Sequence, residues 1–207
     1  MDYWPIVREE KTRLIDELEP LTDAQWDTPT LCEEWRVRDV VAHIAAGANV
    51  SKAKAVLGVV AAGFNVNKYI GREAQRLGAK PRAELTKWYR ESIPSTSLPP
   101  GVKPIGMLTD VVVHRSDIMR PLGLPVSIAP DVAVPVLAYL QDQKFFKAPA
   151  RRAGLRLVAT DCDWSVGDGA LVRGTGEALA LMLSGRGASL DELEGEGVAT
   201  LRERLKA

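Results

Sequence analysis

His43 and His114 are the only two histidines in this 207-residue chain. Each sits in an apolar run beside other polar groups. His43 lies in Val40-Val41-Ala42-His43-Ile44-Ala45-Ala46, and His114 in Asp110-Val111-Val112-Val113-His114-Arg115-Ser116-Asp117. Helix residues four apart share a face one turn apart, so Asp110 and His114 can offer donors to one ion. If His43 meets them from a facing helix, the three form a two-histidine, one-carboxylate set. Such a set leaves coordination positions open for chemistry. Asp117 is either an alternative ligand or an acceptor for an imidazole N–H. The competing reading is structural: the aspartates face solvent or pair with His114, and His43 bonds a backbone carbonyl in the core. A D-x-x-x-H spacing does not choose between these by itself.

Other residues offer less. Cys32 precedes the His43 helix, where a helix N-terminus can lower a thiol pKa; a packed, inert cysteine is the alternative. Arg186, between Gly185 and Gly187, can hold a substrate carboxylate through paired hydrogen bonds, or can be a solvated arginine at a helix end. Ser116 cannot be activated by His114 at its helical offset, so no serine triad is expected. Trp26, Trp35 and Trp88 read as core.

The elements that must position these residues are mostly helical. Apolar spacing predicts helices over Tyr3–Leu18, Val37–Val60, Gly63–Gly78, Pro81–Ser92, Ile105–Met119 and Pro130–Phe146. Thr22 and Gln25 predict a short capped helix ending at Trp26. Val37, Val40, Val41, Ile44 and Ala45 mark the inner face of the second long helix, and His43 points partly inward. After a linker at Ala148–Arg152 the period changes. Strands are expected at Leu155–Thr160, Trp164–Val166 and Ala170–Arg173, with Gly167-Asp168-Gly169 as a hairpin turn. A helix at Gly176–Ser184 follows, then a short strand and a terminal helix. The expected class is α+β: a helical bundle over 1–147 and a small α+β domain over 153–207.

Composition narrows the function. Lys plus Arg total 27, Asp plus Glu total 27, and 46% of residues are hydrophobic. This balance gives no basic field for nucleic acid or a membrane surface, and no apolar run is long enough to span a bilayer. Met1–Pro5 does not read as a signal peptide. Cys32 and Cys162 lack a C-x-x-C spacing, so two reduced thiols in a cytoplasmic protein are expected.

The motif Trp26-x-x-Pro29-Thr30-Leu31-Cys32-x-x-Trp35-x-Val37-Arg38-Asp39-Val40-Val41-Ala42-His43-Ile44 resembles the signature of the mycothiol-dependent maleylpyruvate isomerase family. Asp110-x-x-x-His114-x-x-Asp117-Ile118, followed by Pro121-Leu122-Gly123, is similar to that family's second metal motif. Leu157–Asp161, Trp164–Gly167, Gly174–Leu179 and Leu183–Arg186 resemble its small C-terminal domain. The resemblance implies a DinB-like four-helix bundle followed by a sterol-carrier-like α+β domain. It implies a divalent metal, usually zinc, on His43, Asp110 and His114. It also implies a low-molecular-weight thiol, mycothiol, activated as a metal-bound thiolate. In the isomerase, thiolate addition to a cis double bond allows rotation, and elimination gives the trans product; Arg186 matches an assisting arginine. The function so implied is isomerase or S-transferase chemistry on a small electrophilic substrate, in a monomer or homodimer. The alternative is a non-catalytic metal- or small-ligand-binding protein of the same fold. Two departures stand out: the carboxylate ligand is commonly Glu where this chain has Asp110, and positions 33 and 34 are Glu-Glu where relatives often carry glycine before the tryptophan.

Overall fold

The computed structural model describes every residue except Glu33, Val50, Ser51 and Ala207. The chain divides into two compact units, Met1–Leu124 and Pro125–Ala207.

The first unit is helical. Helix α1 (Trp4–Leu18) carries Pro5 in its first turn, where the missing N–H costs nothing, and buries Val7, Glu10, Lys11, Leu14, Ile15 and Leu18. The short α2 (Asp23–Trp26) carries the expected capping box between Thr22 and Gln25. Trp26 is fully buried, with its indole N–H donating to the Leu18 carbonyl at 3.1 Å. Helix α3 (Val37–Gly47) buries all five residues of its expected inner face. It is shorter than the Val37–Val60 helix expected, and α4 (Lys52–Ala61) is separate. Polar groups satisfy the carbonyls at the α3 end: Asn49 Nδ2 donates to Ala45, and Ser95 Oγ donates to Ala48 at 2.7 Å. Residues Val50 and Ser51 of the expected helix lie outside the described residues. Helix α5 (Val66–Gly78) is capped by Asn65, which accepts from the Lys68 N–H. Helix α5 ends against α3 at Gly78, where a Cβ would overlap the Asp39 carboxylate. Helix α6 (Arg82–Ser92) and α7 (Pro104–Met119) complete the unit. Helix α7 packs along α1 and α3 and is buried from Met107 to Met119 except at Asp110.

The second unit contains α8 (Pro130–Leu140), α9 (Ala148–Arg152), the strands β1 (Leu155–Ala159), β2 (Ser165–Val166) and β3 (Ala170–Gly174), α10 (Gly176–Leu183) and α11 (Val198–Lys206). The helix expected over Pro130–Phe146 stops at Leu140, and a separate 3-10 turn spans Lys144–Phe146. Because α8 packs against α10, the units part at Leu124, earlier than the sequence division at 147.

The sheet has the order β2-β1-β3, with β1 antiparallel to β2 and parallel to β3. Gly167-Asp168-Gly169 is therefore not a hairpin turn. It carries the chain past the start of β1 from one edge to the other. Gly167 has φ +83°, and a Cβ on Gly167 or Gly169 would strike the Leu155 or Gly154 carbonyl. Glycine permits that close crossing. The short strand expected after Leu193 is a single bridge between Arg173 and Glu194, followed by α11. Helix α10 is buried on every side, as a helix apolar all round must be. No helix among the described residues is long and apolar enough to cross a membrane.

Candidate metal centre

Helices α3 and α7 bring the two histidines together. Their ring centres are 5.1 Å apart and their planes nearly perpendicular at 80°. Asp110, one turn before His114 on α7, reaches both. Its Oδ2 lies 3.4 Å from His43 Nε2, and its Oδ1 lies 3.4 Å from His114 Nε2. These separations are long for charge-assisted hydrogen bonds, which run near 2.7–2.9 Å. They match a different geometry. With metal–donor bonds of about 2.0–2.1 Å, neighbouring donors in a tetrahedral set stand about 3.3–3.4 Å apart. The three donors lie within 4.8 Å of one another, so His43, Asp110 and His114 can hold one divalent ion and leave a position open. Side-chain exposure is 21% for His43 and 35% for Asp110 but 8% for His114. The open side is therefore that of His43 and Asp110.

A second cluster shares His114. Asp117, fully buried, places Oδ2 2.9 Å from His114 Nδ1. The Cys32 thiol donates to the same oxygen at 3.0 Å and lies 3.5 Å from Nδ1. Cys32, His114 and Asp117 thus form another group able to bind a cation. The contacts at 2.9 and 3.0 Å have hydrogen-bond length and are shorter than a coordination edge. The imidazole thus turns Nδ1 to Asp117 and Nε2 to Asp110, an orientation that suits metal binding through Nε2.

Charge follows from this arrangement. Packing within the helical unit opposes ionisation of Asp110, but His43 and His114 outweigh it and hold the carboxyl well below the usual range. Burial opposes the charged form of His114; Asp110, Cys32 and Asp117 outweigh it and push its pKa well above the usual value.

The connector before α3 supplies the rest of the wall. Leu31 N–H donates to the Asp117 carbonyl at 3.0 Å, tying the connector to α7. Thr30 N–H and Oγ1 both donate to the Trp35 carbonyl, and Trp35 N–H donates to Cys32 O. That turn lays Trp35 against the imidazoles, 4.9 Å from His43 and 5.8 Å from His114 between ring centres. Trp35 is half-buried, so it is not the core residue expected, and Trp88 is also half-buried. Its role was signalled by its place in the same motif as His43, but tryptophan composition alone reads as core. Cys32, in the connector just before α3, lies beside His114 on α7. Glu33 lies outside the described residues; Glu34 has φ +69°. Arg186 belongs to the second unit, in the turn after α10, where its Nη1 donates to the Ser184 carbonyl at 3.0 Å.

Comparison with known proteins agrees with the architecture. Residues 7–101 match the model of the mycothiol maleylpyruvate isomerase N-terminal domain. That match includes His43 but ends before Asp110 and His114. No curated protein matches. Among solved structures, a histidine-to-alanine mutant of the mycothiol-dependent maleylpyruvate isomerase is similar at a TM-score of 0.61 and 16% identity, over 94% of this chain and 91% of that one. The crystal structure of mycothiol-dependent maleylpyruvate isomerase itself is similar at 0.58 and 17%, with the same coverage. The shared fold covers both units, a mostly helical N-terminal region and a small three-stranded mixed sheet with helices. Residues 7–101 are thus similar to the mycothiol maleylpyruvate isomerase N-terminal domain family, and the rest of the chain shares the fold of the solved structures.

Proposed function

We propose that the chain is a metal-dependent enzyme that uses a low-molecular-weight thiol to isomerise, or transfer sulfur to, a small electrophilic substrate. The observation that carries this is the convergence of His43, Asp110 and His114, whose donor atoms lie within 4.8 Å of one another, with Asp110 3.4 Å from each imidazole Nε2. Two imidazoles and a carboxylate suit zinc among the first-row divalent ions. When bound, such an ion supplies Lewis acidity that turns a thiol into a thiolate at neutral pH. The chain's own residues do the remaining work. Asp117 holds His114 in one orientation, Asp110 bridges the two imidazoles, and Trp35 excludes water from one side. Mycothiol is the thiol by likeness to the family. The same likeness frames residues 1–147 as a DinB-like four-helix bundle and 153–207 as sterol-carrier-like, whereas the compact units themselves divide at Leu124. Arg186 is the proposed assisting residue for a substrate carboxylate, and a cytoplasmic monomer or homodimer is the proposed state.

Metal analysis of purified wild type against His43→Ala and His114→Ala tests the reading. One divalent ion per chain is expected in the wild type and much less in either variant. Absence of stoichiometric metal in the wild type rejects it. Mycothiol-dependent turnover of a panel of electrophiles then separates enzyme from binding protein. Metal without thiol-dependent turnover would make this a non-catalytic member of the fold.

A further inference from the structure

The two histidines of the candidate metal centre are not secured alike. His114 places Nδ1 2.9 Å from the buried Asp117 carboxylate, and that bond fixes its ring. Metal-ligating imidazoles are commonly oriented in this way, through the ring nitrogen turned away from the ion. His43 meets Asp110 through Nε2. Among the described residues no protein group pairs with its Nδ1. His43 and Asp110 also form the open side of the centre, so hydrogen bonding within the protein leaves the His43 ring free to turn. Its orientation therefore depends on packing.

The packing comes from Trp35. Its ring centre stands 4.9 Å from that of His43 with the planes tilted by 44°, nearer than the 5.8 Å to His114. Aromatic pairs at such separations attract each other. One ring can orient another only if it is itself held, and Trp35 is held on several sides. Its carbonyl accepts from the N–H and Oγ1 of Thr30, at 2.9 and 3.0 Å, and its N–H donates to Cys32 O at 3.1 Å. Pro29 and Arg36, on either side of this turn, form an antiparallel bridge. Gln75 on α5 donates to the Glu34 carbonyl at 2.9 Å. The indole Nε1 lies beside Gly71 of the same helix, where an added Cβ would stand 3.8 Å away. The indole is thus fixed to the connector and to α5 before it meets an imidazole.

We propose, building on the metal reading given above, that Trp35 is a positioning residue of this centre. Its indole holds the His43 imidazole with Nε2 turned to Asp110, the task that Asp117 performs for His114. Without the indole the His43 ring samples orientations that carry Nε2 away from the shared donor cluster. Binding an ion must then give up those orientations, and affinity falls because a site held ready binds more tightly than one ordered on binding.

The test has two readouts, on wild type, Trp35→Phe and Trp35→Leu, with Trp35→Met serving if the leucine variant fails to fold. The first is the zinc dissociation constant by chelator competition. Trp35→Leu is expected to weaken zinc binding about tenfold, as loss of a supporting partner does. Trp35→Phe keeps an aromatic neighbour and should stay within about threefold of wild type. The second is NMR relaxation of the ring carbons in metal-free protein carrying labelled histidine. The chain has only two imidazoles, and His43→Ala assigns them. In Trp35→Leu the His43 ring should become mobile while the His114 ring keeps its wild-type rigidity. A merely structural tryptophan would loosen both rings or neither. Either of those results, zinc affinity in the leucine variant equal to wild type, or a phenylalanine variant as weak as leucine overturns this inference alone. A wild type that binds no zinc overturns the metal reading, and this inference with it.

Discussion

Helices α7 and α10 are each the buried helix of their own unit, yet they are built from opposite materials. Helix α10 buries Gly176–Leu183 with one charged residue, Glu177. Helix α7 buries Thr109, His114, Arg115, Ser116 and Asp117 along with its valines. A buried polar group must be matched or it costs stability, so α7 commits its neighbours: Glu17 to Arg115, Asp117 and Cys32 to His114, and Asp110 to both histidines. A helix meant only to fill a core has no need of this. The contrast teaches that α7 is built to hold polar side chains in place, and α10 to fill apolar volume.

The largest expected effect tests the apolar side. Leu179 is fully buried, and Leu179→Ala should cost about 2–5 kcal/mol through lost contacts and a cavity. Urea denaturation measures that loss. Zinc affinity of the folded protein should be unchanged, and a parallel loss of zinc would show that the two units are not independent in this respect.

The next effect lies on the polar side and depends on pH. Lys11 titrates near 10.5 when free and at about 8 when folded, so between these values the unfolded chain binds more protons. Stability must then rise with pH across that window. Below pH 8 the folded state carries the full cost of the buried ammonium; above 10.5 it carries none. At about 1.4 kcal/mol per pH unit the recoverable amount is about 3 kcal/mol. Wild type compared with Lys11→Met in urea, from pH 7 to 10, should show the wild type gaining on the variant. Taking the difference removes Cys162, whose raised pKa works in the opposite direction. A flat difference would place the ammonium in a better-solvated site than its 1% exposure indicates.

Smaller again is the orienting bond behind the metal ligand. Asp117→Asn keeps the shape but weakens the acceptor for His114 Nδ1. Changes to such supporting partners typically cost about 10–100-fold in metal affinity, read by the same chelator competition. An unchanged affinity would transfer the orienting role to Cys32.

Much of this was legible in the sequence, and the failures share a cause. Helical periodicity placed α1, α3, α6 and α7, because one face of each is apolar at helical spacing. The i, i+4 rule put Asp110 and His114 on one face. What the sequence could not supply was long-range. Nothing local says that β3 joins β1 in parallel across a Gly167–Gly169 crossing, because a glycine-flanked turn reads equally as a hairpin. Nor does any pattern show that Lys11, four residues before Ile15 on a charged helix, turns inward to Ser92, 81 positions away. Charged residues on amphipathic helices usually face water, and the exceptions are visible only in three dimensions.

The turn that carries Trp35 gives the smallest effect and the sharpest local test. Glu34 holds φ at +69°, a left-handed conformation that costs an L-residue about 1–2 kcal/mol. The hydrogen bonds from Thr30 to the Trp35 carbonyl and from Trp35 to Cys32 enforce it. The Glu34 side chain is exposed, and the contact that ties it to α5 is its backbone carbonyl accepting from Gln75 Nε2 at 2.9 Å. Glycine keeps that carbonyl and removes the strain, at an entropic cost of about 0.5–1 kcal/mol. Glu34→Gly should therefore stabilise the helical unit by about 0.5–1 kcal/mol, seen as a higher urea midpoint. Glu34→Ala, which keeps a Cβ, should gain nothing. If alanine and glycine behave alike, the strain lies elsewhere in the loop, and the polar unit holds Trp35 against the histidines without cost at this residue.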